Sequence, residues 1–327
     1  MINYFIFFFI VVLVIILNNR EYFSSTKEIE FISPKNACVK LKTVRYTYNP
    51  LDIKLRQIDP KYKGSLYKFY CDNLLEFSNL DKKLLRWLID GTKKRIRDMN
   101  LNINLLFILE NTKIAKFEDN VDNGYPHTNG DIVFLTSKFI NSILPFYNGN
   151  DINGGIKNIG SILIHEGVHI WQRRNPEIFN RLYTKYWFFI KADKIHNKQY
   201  LDKITRYNPD GTDTDWVFHF NNKYFLFLSI YEEGARDISG VRYVGIELNK
   251  IDKNNFEIID DTEYKSLIEL NEFNSFFSNI YGNHYHPNEL SAELMSIYYL
   301  KIMKLSHKKF GNTAYSNMVV WLKEVLD

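Results

Sequence analysis

The chain has 327 residues, a formal net charge of +4 and only two cysteines, Cys38 and Cys71. A charge this small and this dispersed argues against a nucleic-acid partner. Two cysteines allow one disulfide but define neither a disulfide-rich scaffold nor a cysteine metal site. The length is sufficient for one domain of two lobes.

Residues 4–17 form an apolar run that contains no charge and no helix breaker. The run is slightly short for a membrane span and long for the core of a signal peptide. Because no basic residue precedes it and no small-residue cleavage site follows, we expect an uncleaved single-pass membrane anchor over residues 1–19. A cleaved signal peptide on a secreted protein and a buried terminal helix are the alternatives. Arg20 and Lys27 favour a cytoplasmic position for the following domain, so the side of the membrane stays open.

Residues 20–60 are polar and interrupted by prolines. They indicate a juxtamembrane stalk or a segment that wraps around the domain that begins near residue 61. Within that domain, residues 80–99 have apolar side chains at helical spacing, with lysines and arginines on the other face. The inward positions of this long predicted helix are Leu84, Leu85, Leu88 and Ile96. The apolar runs at 103–109 and 130–135 predict two strands.

Residues 165–169 read His-Glu-Gly-Val-His within an apolar pattern that predicts a buried helix. We expect this helix to end near Arg174, because Asn175-Pro176 begins a new helix that continues to about Ile190. On a helix, His165 and His169 project from one face, where two imidazoles can hold one metal ion. In H-E-x-x-H sites the histidines bind zinc, and the glutamate, here Glu166, is the general base. A chance motif with ordinary core histidines is the alternative.

The region after the motif is rich in predicted strands. Residues 216–220 and 224–228 indicate one hairpin, and residues 241–248 and 255–259 indicate a second. Together they form a β insertion at about 215–260, which would either wall a cleft or simply cover the core. The acidic stretch at 208–215 includes Asp210 and lacks the ligand spacing of a helix-loop-helix calcium site, so it predicts a turn.

A catalytic zinc usually takes a third protein ligand, and the best candidates follow the insertion. Residues 286–305 predict a helix in which Glu289 and Glu293 lie four residues apart on one face. One carboxylate can bind the metal, while the other can hydrogen-bond the outer nitrogen of a ligand histidine and fix its tautomer.

HEGVH followed by Asn288-Glu289-x-x-x-Glu293 resembles the gluzincin branch of the zincin metallopeptidases, and Glu289-Leu-Ser-Ala-Glu293 resembles the corresponding helix of toxin-type zincins. The resemblance implies that His165, His169 and Glu289 bind one Zn²⁺ per chain, that Glu166 is the base, and that Glu293 supports a ligand histidine. About 120 residues separate His169 from Glu289, more than in the best-known gluzincins, so the resemblance requires an insertion between the two halves of the site.

The resemblance also implies an α+β, zincin-like fold. In this fold a small mixed sheet has an edge strand over the HExxH helix, and residues 130–135 match that strand. The amino-terminal lobe would cover about 61–175, and a helical carboxy-terminal lobe with the β insertion would cover about 176–327.

A peptidase of this type also needs a group that stabilises the oxyanion, commonly a tyrosine or histidine near the third ligand. Tyr285 and Tyr281 are the first candidates, followed by His284 and His286. His127, which precedes the predicted edge strand, is interpreted as a loop histidine, with a position at the rim of the cleft as the alternative.

These observations predict a membrane-anchored zinc metallopeptidase that hydrolyses a protein or peptide substrate. One alternative is a catalytically silent zincin-fold protein with a structural or binding role in a membrane or virion. A further alternative is that the HEGVH motif is accidental and no metal binds.

Overall fold

The computed structural model describes residues 29–41, 48–56, 65–99, 106–110, 112–208, 210, 215–259, 264–278, 280, 285–306 and 311–326. The predicted anchor at residues 1–19 lies outside these residues, as do Tyr281 and His284. None of the helices in the described ranges is both long and apolar enough to cross a membrane. The described chain has the predicted mixed α+β composition.

Two sheets organise the described chain. Their strands are β1 (Glu30–Phe31), β2 (Leu74–Leu75), β3 (Lys113–Phe117), β4 (His127–Asn129), β5 (Ile132–Thr136), β6 (Phe189–Lys191), β7 (Lys194–His196), β8 (Trp216–Phe220), β9 (Lys223–Tyr231), β10 (Val241–Lys250), β11 (Asn255–Ile258) and β12 (Lys265–Ser266). The first sheet has the order β1-β3-β5-β4 with β2 beside β3, and the second has the order β6-β8-β9-β10-β11-β7 with β12 beside β10.

Helices precede, connect and follow these strands. They are α1 (Pro34–Leu41), α2 (Pro50–Leu55), α3 (Leu66–Asp72), α4 (Asn79–Asp98), α5 (Phe107–Glu110), α6 (Ser137–Asn141), α7 (Leu144–Asn148), α8 (Ile152–Gly155), α9 (Ser161–Arg174), α10 (Pro176–Arg181), α11 (Gln199–Ile204), α12 (Asn271–Phe277), α13 (Pro287–Ile302) and α14 (Thr313–Leu326). Wider π-helical turns at Ile156–Gly160 and Leu182–Tyr186 lead into α9 and out of α10, respectively.

The first sheet is small and mixed, as predicted, because β3 pairs in parallel with β1 and β5 while β4 is antiparallel to β5. The prediction that residues 130–135 form the edge strand is wrong. Strand β5 lies between β3 and β4, and the edge strand is β4. The continuous apolar run is the reason, since Val133 and Leu135 pack into the main core while Ile132 and Phe134 pack into a second cluster on the other face. A strand buried on both faces is typical of a sheet interior.

The described part of the 20–60 segment is joined to this sheet. Strand β1 pairs with β3, and Ala37 and Leu41 of α1 are buried in the second cluster. A disulfide between Cys38 and Cys71 links α1 to α3. Helix α2 reaches the other lobe, where the Asn49 amide donates hydrogen bonds to two carbonyl oxygens in and beyond α11, those of Asp202 and Thr205.

Helix α4 confirms the long amphipathic helix, with Leu84, Leu85, Leu88 and Ile96 buried. It begins at Ser78, whose hydroxyl accepts from the Asp81 backbone N–H while the Asp81 carboxylate accepts from the Ser78 N–H. The strand predicted at 103–109 is wrong in its described part, because residues 107–110 form helix α5. A short apolar run does not distinguish a strand from a buried helical turn.

The second sheet confirms both predicted hairpins and joins them, since β9 also pairs with β10. Asn221 and Asn222 turn the first hairpin with φ values of 52° and 60°, a conformation that asparagine tolerates. The helix predicted from Pro176 to about Ile190 is too long. Phe188, with φ at 60°, leaves the helical path, and residues 189–191 pair with β8 instead.

The main core lies where the lobes meet. Helix α9 packs against α13, and α13 packs in turn against α14. Large buried side chains from the three helices and the second sheet share one cluster: Trp171, Tyr299, Trp321, Phe218 and Phe227. The helix with the motif is therefore packed against α13 and shares one core cluster with α14 and the second sheet.

Candidate metal centre

The HEGVH motif lies on helix α9, which begins at Ser161 and ends at Arg174 as predicted. The glycine of the motif, Gly167, allows helix α5 to approach α9 closely. A Cβ atom added at Gly167 would lie 2.4 Å from Ile108 Cγ2 and 2.8 Å from the Ile108 carbonyl oxygen. No larger residue fits there without displacing backbone, so Gly167 fixes the helix against α5.

Three predicted ligand side chains converge beside this helix. His165 Nε2 lies 3.1 Å from His169 Nε2 and 3.4 Å from Glu289 Oε2, and His169 Nε2 lies 3.2 Å from Glu289 Oε1. Zinc bonds of about 2.0–2.1 Å at tetrahedral angles would separate ligand atoms by about 3.3 Å. In the described chain, these three residues are the group of histidines and carboxylates that could hold a metal ion.

A hydrogen-bonded chain fixes the orientation of His169. Gln172 Nε2 donates to the Asn288 carbonyl oxygen and to Ser291 Oγ, both at 2.8 Å, so its oxygen is the end that faces His169. Gln172 Oε1 lies 2.8 Å from His169 Nδ1. Because an amide oxygen accepts, Nδ1 carries the proton and Nε2 presents its lone pair to the ligand cluster.

His165 has the support that the motif predicts. Its Nδ1 lies 3.6 Å from Glu293 Oε2, one turn beyond Glu289 on α13. The separation is long for a hydrogen bond, but it brings the carboxylate to the outer face of the imidazole. Glu293 is thus near the histidine it was predicted to orient.

The charges of these groups reinforce one another. Burial opposes the protonated form of both histidines, but the Glu289 and Glu293 carboxylates hold the pKa of His165 well above its usual range. The charge of Glu289 likewise raises the pKa of His169. Burial opposes the ionised form of Glu289, yet His169 and His165 hold the pKa of Glu289 well below its usual range. The carboxylate of Glu289 is therefore matched in charge to two imidazoles.

Glu166 lies beside the cluster and is 4% exposed. Its Oε2 is buried without a hydrogen-bond partner in the described structure. Burial, followed by the negative charge of Asp210, raises the pKa of Glu166 to about 8. A divalent cation held by the three neighbouring ligands would favour the ionised form.

The residues fit a zinc ion. Two imidazole nitrogens and one carboxylate oxygen form a donor set typical of catalytic zinc, and beside them Glu166 Oε2 is a buried oxygen without a hydrogen-bond partner in the described structure. The structure also gives the outer nitrogens of both histidines a nearby acceptor.

No protein-family model, no curated protein and no solved structure matches the chain.

A cavity of about 460 Å³ opens at the ligand cluster, which is within the size range of small-molecule and peptide side-chain sites. Part of its wall is apolar, from Ile162, Ile297 and Leu300, and part is polar, from Arg56, Asp122 and His127. His127 is therefore not a loop histidine. It lies on strand β4, is 3% exposed, and its Nε2 has no hydrogen-bond partner in the described structure.

The predicted oxyanion residues are less well placed. Tyr285 is buried behind the cluster, stacked on Tyr243 at 5.6 Å between ring centroids, and it is not part of the described cavity wall. Burial raises the pKa of Tyr285 strongly. His286 caps helix α13, where its Nδ1 accepts from the Asn288 N–H at 3.2 Å. Tyr281 lies outside the described residues.

Two parts of the site were not predicted. Gln172, three residues after His169, could have been found from helical spacing alone. Asn208 and Asp210 could not, because their loop has no periodic pattern. Asn208 Nδ2 donates to Glu289 Oε1 at 2.7 Å, and Asp210 Oδ1 accepts from both the backbone N–H and the hydroxyl of Thr128 on strand β4.

Proposed function

We propose that the chain is a zinc-dependent peptidase of the zincin type, with His165, His169 and Glu289 as ligands of one Zn²⁺. The observation that carries the proposal is the convergence of the two histidine Nε2 atoms and the Glu289 carboxylate, with nearest atoms 3.1–3.4 Å apart, beside the buried carboxylate of Glu166. Random core histidines have no reason to face one another and a shared carboxylate through the same ring nitrogen.

A bound zinc ion would polarise the substrate carbonyl and lower the pKa of a water molecule. The chain itself supplies the proton transfers. Glu166, held in a site closed to solvent, would take the proton of the attacking water and then deliver it to the leaving nitrogen of the peptide. Glu293 and Gln172 would keep the imidazoles of His165 and His169 in the required orientation. The cavity beside the ligands would receive a substrate side chain at its apolar wall.

The location of the activity is part of the proposal. Residues 1–19 would tether the domain to a membrane as a single-pass anchor. The disulfide between Cys38 and Cys71 supports a position on an oxidising side of that membrane, because disulfides are rare in reducing compartments. This argues against the cytoplasmic position that Arg20 and Lys27 favour.

One observation favours the silent alternative. Zincin substrates would bind along the edge strand β4, but the N–H of its central residue, Thr128, already donates to Asp210. Arg173 covers the same edge through Thr128 Oγ1 and the Gly130 carbonyl oxygen. A protein that has the site without turnover would have no need of a free edge.

Metal content and peptide hydrolysis separate these functions. The full chain, solubilised in detergent, should contain about one zinc ion, and the His169→Ala and Glu289→Ala variants should lose it. His196→Ala, in the second sheet, is the control and should keep its metal. Glu166→Gln should also keep zinc but lose cleavage of a peptide library. Zinc binding without cleavage by the parent would support the silent alternative, and a well-folded parent without zinc would exclude both.

A further inference from the structure

The loop that follows α11 contacts Glu289, one of the proposed metal ligands, through the side chain of Asn208. Asn208 and Glu289 are 81 positions apart in the sequence, and Asn208 Nδ2 lies 2.7 Å from Glu289 Oε1. The orientation of the amide is defined by its other end, because Asn208 Oδ1 accepts from the Asp210 backbone N–H at 3.1 Å. The nitrogen therefore has to face the carboxylate.

This loop is fixed on both sides of Asn208. Before it, the Tyr207 carbonyl oxygen accepts from Arg56, and the Tyr207 N–H donates to Asp52 Oδ2 at 3.3 Å. After it, the Asp210 carboxylate accepts from Thr128, and the Asp210 carbonyl oxygen accepts from Arg173 Nη1 at 3.2 Å. The residues on both sides of Asn208 are thus held by contacts with the 20–60 segment and with residues 128 and 173.

We propose that Asn208 is a positioning residue for the metal ligand Glu289. Its amide occupies one lone pair of Oε1, so Glu289 presents a single oxygen to the metal and a coordination position stays open for water or substrate. This inference rests on the proposed zinc site. It adds that the loop after α11, through the Asn208 amide, sets how the third ligand binds.

The expected loss of zinc affinity in Asn208 variants can be estimated from comparable contacts in other metal sites. Loss of an outer partner of a metal ligand typically weakens metal affinity about 10–100-fold. Asn208→Ala removes the donor. Asn208→Asp keeps the size and the acceptor for the Asp210 N–H, but it places a carboxylate against Glu289, so we expect a larger loss. The aspartate variant also keeps the test valid if the alanine variant does not fold.

The experiment measures the zinc affinity of the full chain by competition with a chromophoric chelator. The control is Asn254→Ala, because Asn254 lies in an exposed turn of the same lobe and its amide also donates to a carboxylate, that of Asp193, at 3.3 Å. We expect at least about a 10-fold weaker affinity for Asn208→Ala, a greater loss for Asn208→Asp, and less than a twofold change for the control.

Cobalt substitution distinguishes positioning from a purely structural role. If Asn208→Ala lets a second carboxylate oxygen bind, the coordination number rises and the visible absorption of bound Co²⁺ weakens. A structural role would lower the melting temperature of the metal-free protein and leave the cobalt spectrum and the zinc affinity unchanged, which would overturn the inference. Tight zinc binding by the parent and by both Asn208 variants would exclude the inference alone, whereas a zinc-free parent would exclude the proposed function as well.

Discussion

The Nδ1 atom of His169 lies 2.8 Å from Gln172 Oε1, and the Gln172 amide nitrogen is anchored on the Asn288 carbonyl oxygen. Gln172 thus connects the HEGVH motif on α9 with the start of the helix that carries Glu289. One side chain fixes the tautomer of His169 and joins the two helices.

Replacing Gln172 should therefore weaken metal binding more than its position outside the ligand set suggests. In Gln172→Leu, the Nδ1 proton of His169 loses its acceptor, whereas the Asn288 carbonyl oxygen keeps the hydrogen bond from Ser291 Oγ. We expect zinc affinity to fall about 10-fold or more. Gln199→Leu, at an exposed position on α11, is the control. Equal affinities for the two variants in a chelator titration would contradict the proposed role of Gln172.

Zinc affinity should depend steeply on pH. The pKa values of His165 and His169 are raised by the neighbouring carboxylates, and only the neutral imidazoles bind a metal. Each histidine must therefore release a proton below its raised pKa, so affinity should increase with pH and continue to increase above the ordinary histidine value of about 6.5. Competition titrations between about pH 6 and 9 would measure this slope. A zinc affinity that stops increasing below about pH 6.5 would contradict the raised pKa values of the two histidines.

Gly167 should tolerate no side chain. Glycine to alanine within a helix normally stabilises a protein by up to about 1 kcal/mol. Here the added Cβ would lie 2.8 Å from the Ile108 carbonyl oxygen, so we expect Gly167→Ala to reduce the free energy of unfolding by about 1–3 kcal/mol. Urea denaturation of the metal-free protein would measure this change in the free energy of unfolding. Gly311→Ala, where no atom lies within 4 Å of the added Cβ, should change stability by less than about 0.5 kcal/mol.

Arg56 should be essential for stability. It donates to Asp52 Oδ1 at 3.2 Å and to Asp122 Oδ1 at 2.6 Å, and all three side chains are buried. Arg56→Met would leave two buried carboxylates without their cation, at a cost of about 3–5 kcal/mol.

The exposed pair Arg181–Glu324, at 2.5 Å, provides the matched control. Arg181→Met should cost about 0–1 kcal/mol, because an exposed ion pair is screened by water. Equal losses of unfolding free energy for the two arginine variants in denaturant titrations would show that the burial of Arg56 does not determine its contribution to stability.

Local patterns predicted much of the fold and of the centre. Helix α4, the motif helix α9, the two hairpins and α13 follow from periodicity and capping residues. The spacing of Glu289 and Glu293 predicted two carboxylates on one face of α13, and the family resemblance proposed Glu289 as the third ligand. The interior position of β5 was not predicted, although its unbroken apolar run was the available signal. Asn208, Asp210 and Arg56 could not have been found, because loop contacts between distant segments leave no period in the sequence.

The contact between Gln172 and Ser291 spans 119 residues, and the whole second sheet is folded within that interval. During synthesis from the amino terminus, the two histidines and Glu166 leave the ribosome long before Glu289 does. A nascent or truncated chain therefore has the base and only part of the ligand set. Under the proposed function, hydrolysis requires Glu289 beside the two histidines, so synthesis from the amino terminus postpones it until most of the chain has folded.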